Sequence, residues 1–188
     1  MKKNKTLIII LVLAVSLYFT SCDAGGNGDD ESTTYAVGDT GPSGVGKVFY
    51  ITDGGLHGIE AAPSLWNGGS EDPYTQWKTD ASSTSGTSTA IGTGSANTAL
   101  MVTVSHPAAD LCRAYNGGDK NDWFLPSKDE LYQLYSQKDI VGGLTAVKGS
   151  YWSSSESDIK SAWFQYSNSG QLGANKDEVL AVRAVRAF

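Results

Sequence analysis

An α+β fold is the class this sequence predicts, and three observations predict it. A strong strand pattern, Lys47-Val48-Phe49-Tyr50-Ile51-Thr52, opens the folded part of the chain. Helix signals then gather in the middle, with proline in a first turn at Pro107 and a Ser-x-x-Glu capping box at Ser127 to Glu130. Strand patterns resume at Tyr151 and run to Phe188. Helices set apart from antiparallel strands and joined by long loops make α+β.

Taken in order, the chain begins with a segment that is not structural. Met1-Lys2-Lys3-Asn4-Lys5 is basic, Leu7 to Phe19 is almost unbroken apolar sequence, and Thr20-Ser21 leads into Cys22. A charged region, an apolar region and a small-residue cleavage site form a secretory signal. A cysteine directly after the small pair resembles a bacterial lipoprotein signal, cut before Cys22 and lipidated there, although Phe19 stands where leucine is more usual. Residues 1–21 are therefore expected to be a signal peptide. The mature protein would sit in the bacterial cell envelope, lipid-anchored and periplasmic or on the cell surface. Residues 22–36 read as a tether: Asp23 to Thr34 is rich in Gly, Asp and Ser, with Ala24 its one apolar residue. The domain spans residues 37–188.

Within it, Gly38 to Ser43 is turn chemistry, and the strand Lys47–Thr52 is closed by Asp53-Gly54-Gly55. Ile59 to Ala62 is a short strand ended by Pro63, Trp66 to Asp80 is irregular, and Ser82 to Ser95 reads as an exposed loop. One helix starts at Ser95 or Asn97 and runs through Val104. A second starts at Pro107, shows an apolar face at Ala108, Leu111, Cys112 and Tyr115, and stops at Asn116-Gly117-Gly118. The third opens at Ser127 and buries Leu131, Leu134 and Tyr135, before Gly142-Gly143. Tyr151–Ser154, Ala162–Ser167 and Val179–Phe188 are strands, with Asn168-Ser169-Gly170 turning the second into its continuation. The first and last strands are expected to pair.

Charge and cysteine content narrow the function. Loss of Lys2, Lys3 and Lys5 lowers the basic count from 14 to 11, against 20 acidic residues, for a net charge near −9. Such a chain disfavours nucleic acid and anionic lipid surfaces as partners. With Cys22 lipidated, Cys112 has no partner for a disulfide and reads as a small buried hydrophobe.

Five blocks, in order, resemble one family. They are Val37 to Gly44, Val48 to Gly55, Asn121 to Leu131 (NDWFLPSKDEL), Tyr151 to Glu156 (YWSSSE) and Val182 to Phe188 (VRAVRAF). They resemble the C-terminal domain family of the Legionella collagen-like adhesin (Lcl), over residues 37–188. The resemblance implies a C-type-lectin-like fold, one also used by formylglycine-generating enzymes and retroelement-diversified receptors. In the adhesin that domain binds sulfated glycans and trimerises through a collagen-like stalk. This chain has no such stalk, since Gly38, Gly41 and Gly44 are too few for a triple helix, and its acidity speaks against sulfated ligands.

Several residue groups invite a site, each beside a plainer reading. Gly41-Pro42-Ser43-Gly44-Val45-Gly46-Lys47 nearly spells a phosphate-binding loop, but Val48 replaces the Ser/Thr and a strand follows instead of a helix. Asp119, Asn121 and Asp122 carry oxygen donors that could hold calcium, or bond their own turn. No other cofactor is expected. Alternation along Tyr151-Trp152-Ser153 and Trp163-Phe164-Gln165 turns one aromatic of each pair outward. Beside Ser154 and Glu156, an outward Trp152 or Trp163 would stack on a sugar while the polar groups take hydroxyls. Trp123, Pro126 and Glu130 read as core, loop lock and cap. His57 and His106 lie apart without metal-binding spacing, and no GxSxG elbow is present. Arg183 and Arg186 are expected on opposite faces of the last strand, one paired internally. The expected function is a membrane-anchored lipoprotein binding a glycan or surface protein as an adhesion-type module. An envelope scaffold without a small ligand is the alternative. An oxidase like the formylglycine-generating enzymes is disfavoured because Cys112 stands alone, so the protein is not expected to be an enzyme.

Overall fold

The computed structural model describes residues 32–80, 84, 86–102, 105–144, 149–166 and 170–188. The signal peptide, Cys22 and most of the tether lie outside the described residues. So do Val104, Asn168, Ser169 and part of the Ser82–Ser95 loop. Among the described residues no helix is long and apolar enough to cross a membrane.

The fold is α+β, with two sheets and four short helices among the described residues. The smaller sheet has the order β1-β2-β8, from β1 (Lys47–Thr52), β2 (His57–Ala61) and β8 (Val185–Ala187). Both pairings are antiparallel, and Thr52 stands opposite His57 across the hairpin. The expected pairing of first and last strands is corrected here: β8 pairs with β2, and β1 lies beyond it. The termini of the domain still meet. Tyr35 N–H donates to the Gly55 carbonyl at 2.9 Å, and the Tyr35 and Phe188 rings pack edge to face at 5.2 Å.

The larger sheet has the order β3-β7-β4-β5-β6. Its strands are β3 (Tyr74–Gln76), β4 (Ser150–Glu156), β5 (Ser161–Tyr166), β6 (Gly170–Asn175) and β7 (Val179–Ala181). β4 and β7 run parallel, so the sheet is mixed. The single strand expected over Val179–Phe188 is therefore two strands. Val182-Arg183-Ala184 carries the chain from one sheet to the other, and Phe124 bridges to Val185.

Helix α1 (Gly94–Leu100) is shorter than its pattern suggested. α2 (Pro107–Ala114) begins at its proline and buries Ala108, Ala109 and Cys112, leaving Leu111 and Tyr115 at the edge of the core. α3 (Lys128–Ser136) has the expected capping box: Ser127 Oγ accepts from Glu130 N–H, and Glu130 accepts from Ser127 N–H at 2.7 Å. α4 (Lys138–Val141) is a single turn that no periodicity announced.

Strand β4 lies in the middle of the larger sheet and is covered on both faces. Trp152 enters a core with Trp66, Trp77, Trp123 and Cys112. Its neighbour Tyr151 enters a second core with Phe49, Leu131 and Leu134. Alternation along a strand separates two faces, but it cannot say that either face is wet.

Candidate functional site

Most side chains that looked like ligands hold the fold together. Trp152 is fully buried, correcting the expectation of an outward aromatic on β4. Its indole N–H donates to the Thr75 carbonyl at 3.0 Å. Ser154 is buried as well, its Oγ accepting from Asn97 Nδ2 at 3.1 Å. Glu156 accepts from Lys176 Nζ at 2.8 Å and from Thr84 N–H at 2.6 Å. Trp163 is half-exposed, with the Lys128 ammonium 4.7 Å from its ring centroid, and Glu156 is partly covered. These four residues do not form one open surface.

The acidic turn also has an internal task. Asp119 is exposed, with φ +55, and Asn121 and Asp122 are exposed beside it. Asp122 Oδ1 accepts from Arg186 Nε at 2.6 Å, so a guanidinium already occupies the cationic position beside that carboxylate. Among the described residues no three His, Cys, Asp or Glu side chains gather as a metal site.

The near-phosphate loop is closed by the protein's own carboxylate. Glu60, buried on β2, accepts from Ser43 N–H at 3.2 Å and from Ser43 Oγ–H at 2.6 Å. A side chain at Gly41 or Gly46 would run into this carboxylate, which explains the glycines without a nucleotide. Arg186 then links Glu60, at 3.0 Å, to Asp122. Both arginines are thus ion-paired. Arg183 is fully buried and donates through Nε to Asp72 at 2.7 Å.

Cys112 is buried on α2, and burial pushes its thiol well above the ordinary range, against the weaker opposing pull of Arg113. His106 is buried edge to face with Trp77 and lies 2.8 Å from Thr84 Oγ1. His57 is exposed at the start of β2.

What is open lies along α2. One hollow of about 490 Å³ runs between α2 and β3, against Pro73, Thr75, Pro107, Asp110, Leu111 and Ala114. A second, of about 280 Å³, continues from Leu111 and Ala114 to Trp66, Asn67, Tyr115 and Asn116. The shared residues make the two one groove, with aliphatic and aromatic walls and carboxamides at one end. Trp66 Nε1 is fixed there by the Val182 carbonyl at 3.2 Å.

Another hollow, of about 390 Å³, sits nearer the termini, with Tyr50, Phe124 and Phe188 among its walls. The buried carboxylate that borders it, Glu130, is committed to the N–H groups of Gly92, Gly94 and Ser127. No family model matches the chain, and no curated protein matches it.

The sequence reading missed the α2 groove. Leu111 and Tyr115 read only as part of one apolar helical face, whereas α2 turns only Ala108, Ala109 and Cys112 fully inward and leaves those two at the edge.

Proposed function

We propose that this chain is a lipid-anchored, extracytoplasmic binding module of the C-type-lectin-like class, taking a glycan or protein ligand in the α2 groove. The observation that carries the reading is the groove itself. It is open and walled largely by apolar side chains, with carboxamides at one end. The five sequence blocks that resemble the adhesin domain, and the signal-like segment ending in Cys22, support the class and the location. Buried Cys112, with its raised thiol, supports a role without cysteine chemistry.

One observation favours the scaffold alternative. The serine-rich stretch Ser153-Ser154-Ser155, which invited a sugar site, is entirely internal.

The test is a glycan-array screen of the purified protein, run with calcium and again with EDTA. Binding that persists in EDTA is expected, because the groove contains no cluster of carboxylates. Absence of binding to any glycan or envelope protein by a folded sample refutes the reading. The anchor is tested separately: Cys22→Ser should move the protein from the membrane fraction to the soluble fraction.

A further inference from the structure

Two copies of one short sequence meet at one end of the α2 groove. Trp66-Asn67-Gly68-Gly69-Ser70 and Tyr115-Asn116-Gly117-Gly118-Asp119 share the order aromatic, asparagine, glycine, glycine, small polar. They lie far apart in the chain, yet their rings pack edge to face with centroids 5.1 Å apart. In each copy the aromatic anchors the turn: Trp66 through its bond to Val182, Tyr115 by packing on Trp123 at 4.9 Å. In each copy the next residue, asparagine, is exposed. Each copy then reverses through a glycine of positive φ, +78 at Gly68 and +67 at Gly118. Turn formation alone asks for the Asn-Gly step, but not for a preceding aromatic, nor for two such turns to share a hollow.

We propose that this paired turn is a binding site for a neutral sugar residue, with Asn67 and Asn116 taking its hydroxyls and the Trp66–Tyr115 edge, Leu111 and Ala114 lying under its C–H face. This rests on the reading of the α2 groove as a ligand site. A carboxamide offers an acceptor oxygen and two N–H donors, which matches the donor and acceptor character of neighbouring hydroxyls. Asn116 makes no side-chain hydrogen bond within the described protein. Asn67 Oδ1 accepts from Gly69 N–H at 3.3 Å, which leaves its amide group to donate outward.

Charge selects the class of sugar. None of the residues lining this hollow carries a formal charge. Nearby Asp110 is already paired with Arg113. Burial, and then the Glu60 carboxylate, push the Tyr115 phenol up despite Arg183, so it stays neutral. A sulfate group would find no cation here and would face the field of an acidic chain. The volume of about 280 Å³ is close to the lower end of small-molecule sites, which suits one sugar ring of a longer glycan.

The experiment measures retention of the purified full-length protein on immobilised dextran, mannan and galactan, with dextran sulfate as the charged counterpart. Wild type is compared with Asn67→Ala, Asn116→Ala, the double variant and Leu111→Arg, which fills the groove. Asp139→Ala, at an exposed position on α4, is the control outside the groove. Thermal melts confirm that each variant is folded. Wild type should be retained on at least one neutral polysaccharide without competition from soluble dextran sulfate. Each groove asparagine variant should weaken retention by roughly fivefold to tenfold, the effect of losing about one hydrogen bond, while Asp139→Ala leaves it unchanged. Three outcomes overturn the proposal: retention on dextran sulfate alone, no retention on any neutral polysaccharide, or undiminished retention of the double variant. In the last case Leu111→Arg separates the two readings. If it abolishes retention, the groove stands and the paired turn falls. If it does not, the groove falls as well.

Discussion

Replacing Asp72 by asparagine should be among the most damaging single changes outside the hydrophobic core. Asp72 is 4% exposed, and Arg183 is fully buried. Arg183 donates to Asp72 through Nε at 2.7 Å, to the Ala62 carbonyl at 3.1 Å and to the Gly143 carbonyl at 2.7 Å. Asp72 also accepts from Tyr151 Oη–H at 3.0 Å and from Leu65 N–H at 3.2 Å. One ion pair thus ties the crossing between the sheets to β4 and to the turn carrying Trp66. Asparagine keeps the shape and removes the charge, leaving a guanidinium without a counter-charge in a dry interior. Breaking such a pair from one side costs about 3–5 kcal/mol. For a domain of this size that is a fall in Tm of about 10–15 °C. Urea unfolding should show a lower midpoint at constant slope. The cycle Asp72→Leu, Arg183→Met and the double variant should be non-additive, with the double variant less destabilised than the sum by more than about 1 kcal/mol. A loss below about 1 kcal/mol for Asp72→Asn, or an additive cycle, would refute the reasoning.

Three further outcomes follow from burial. Trp152→Ala should cost about 3–5 kcal/mol, as for a filled core position, measured by urea unfolding; a loss under about 1 kcal/mol would mean that the indole is not internal. Cys112 should resist a thiol reagent in the native protein and react once urea unfolds it, because burial holds the thiol protonated and covered; rapid native labelling would contradict this. Glu130 titrates with a definite sign. Burial raises its carboxyl above the ordinary 4.5, outweighing the N–H groups of Ser127, Gly94 and Gly92 that lower it. A raised folded value means that its contribution is fully present below the unfolded value and is lost as pH rises through the folded one. The stability of wild type relative to Glu130→Gln should therefore fall as pH rises from below 4.5 toward neutrality; a difference that grows with pH would refute the assignment.

Local sequence carried the features whose causes are local. Lys47–Thr52 is a strand, Pro107 starts a helix, and Ser127 and Glu130 cap one, because each rests on local residue preference, a fixed φ or bonds within a few residues. The acidic balance and the apolar run ending at Cys22 are likewise written in order along the chain, and they carry the expectations about partners and location. Tertiary structure decided which faces are covered and which residues meet. It buried Trp152 as well as Tyr151, because the second face of the larger sheet packs on elements distant in sequence. It split the last strand at Arg183, because that guanidinium finds Asp72 between the sheets. It gave Glu60 to the glycine loop, and it set Trp66 beside Tyr115. Repeated aromatic-Asn-Gly-Gly turns are visible in the chain, but their meeting depends on long-range packing that no spacing encodes.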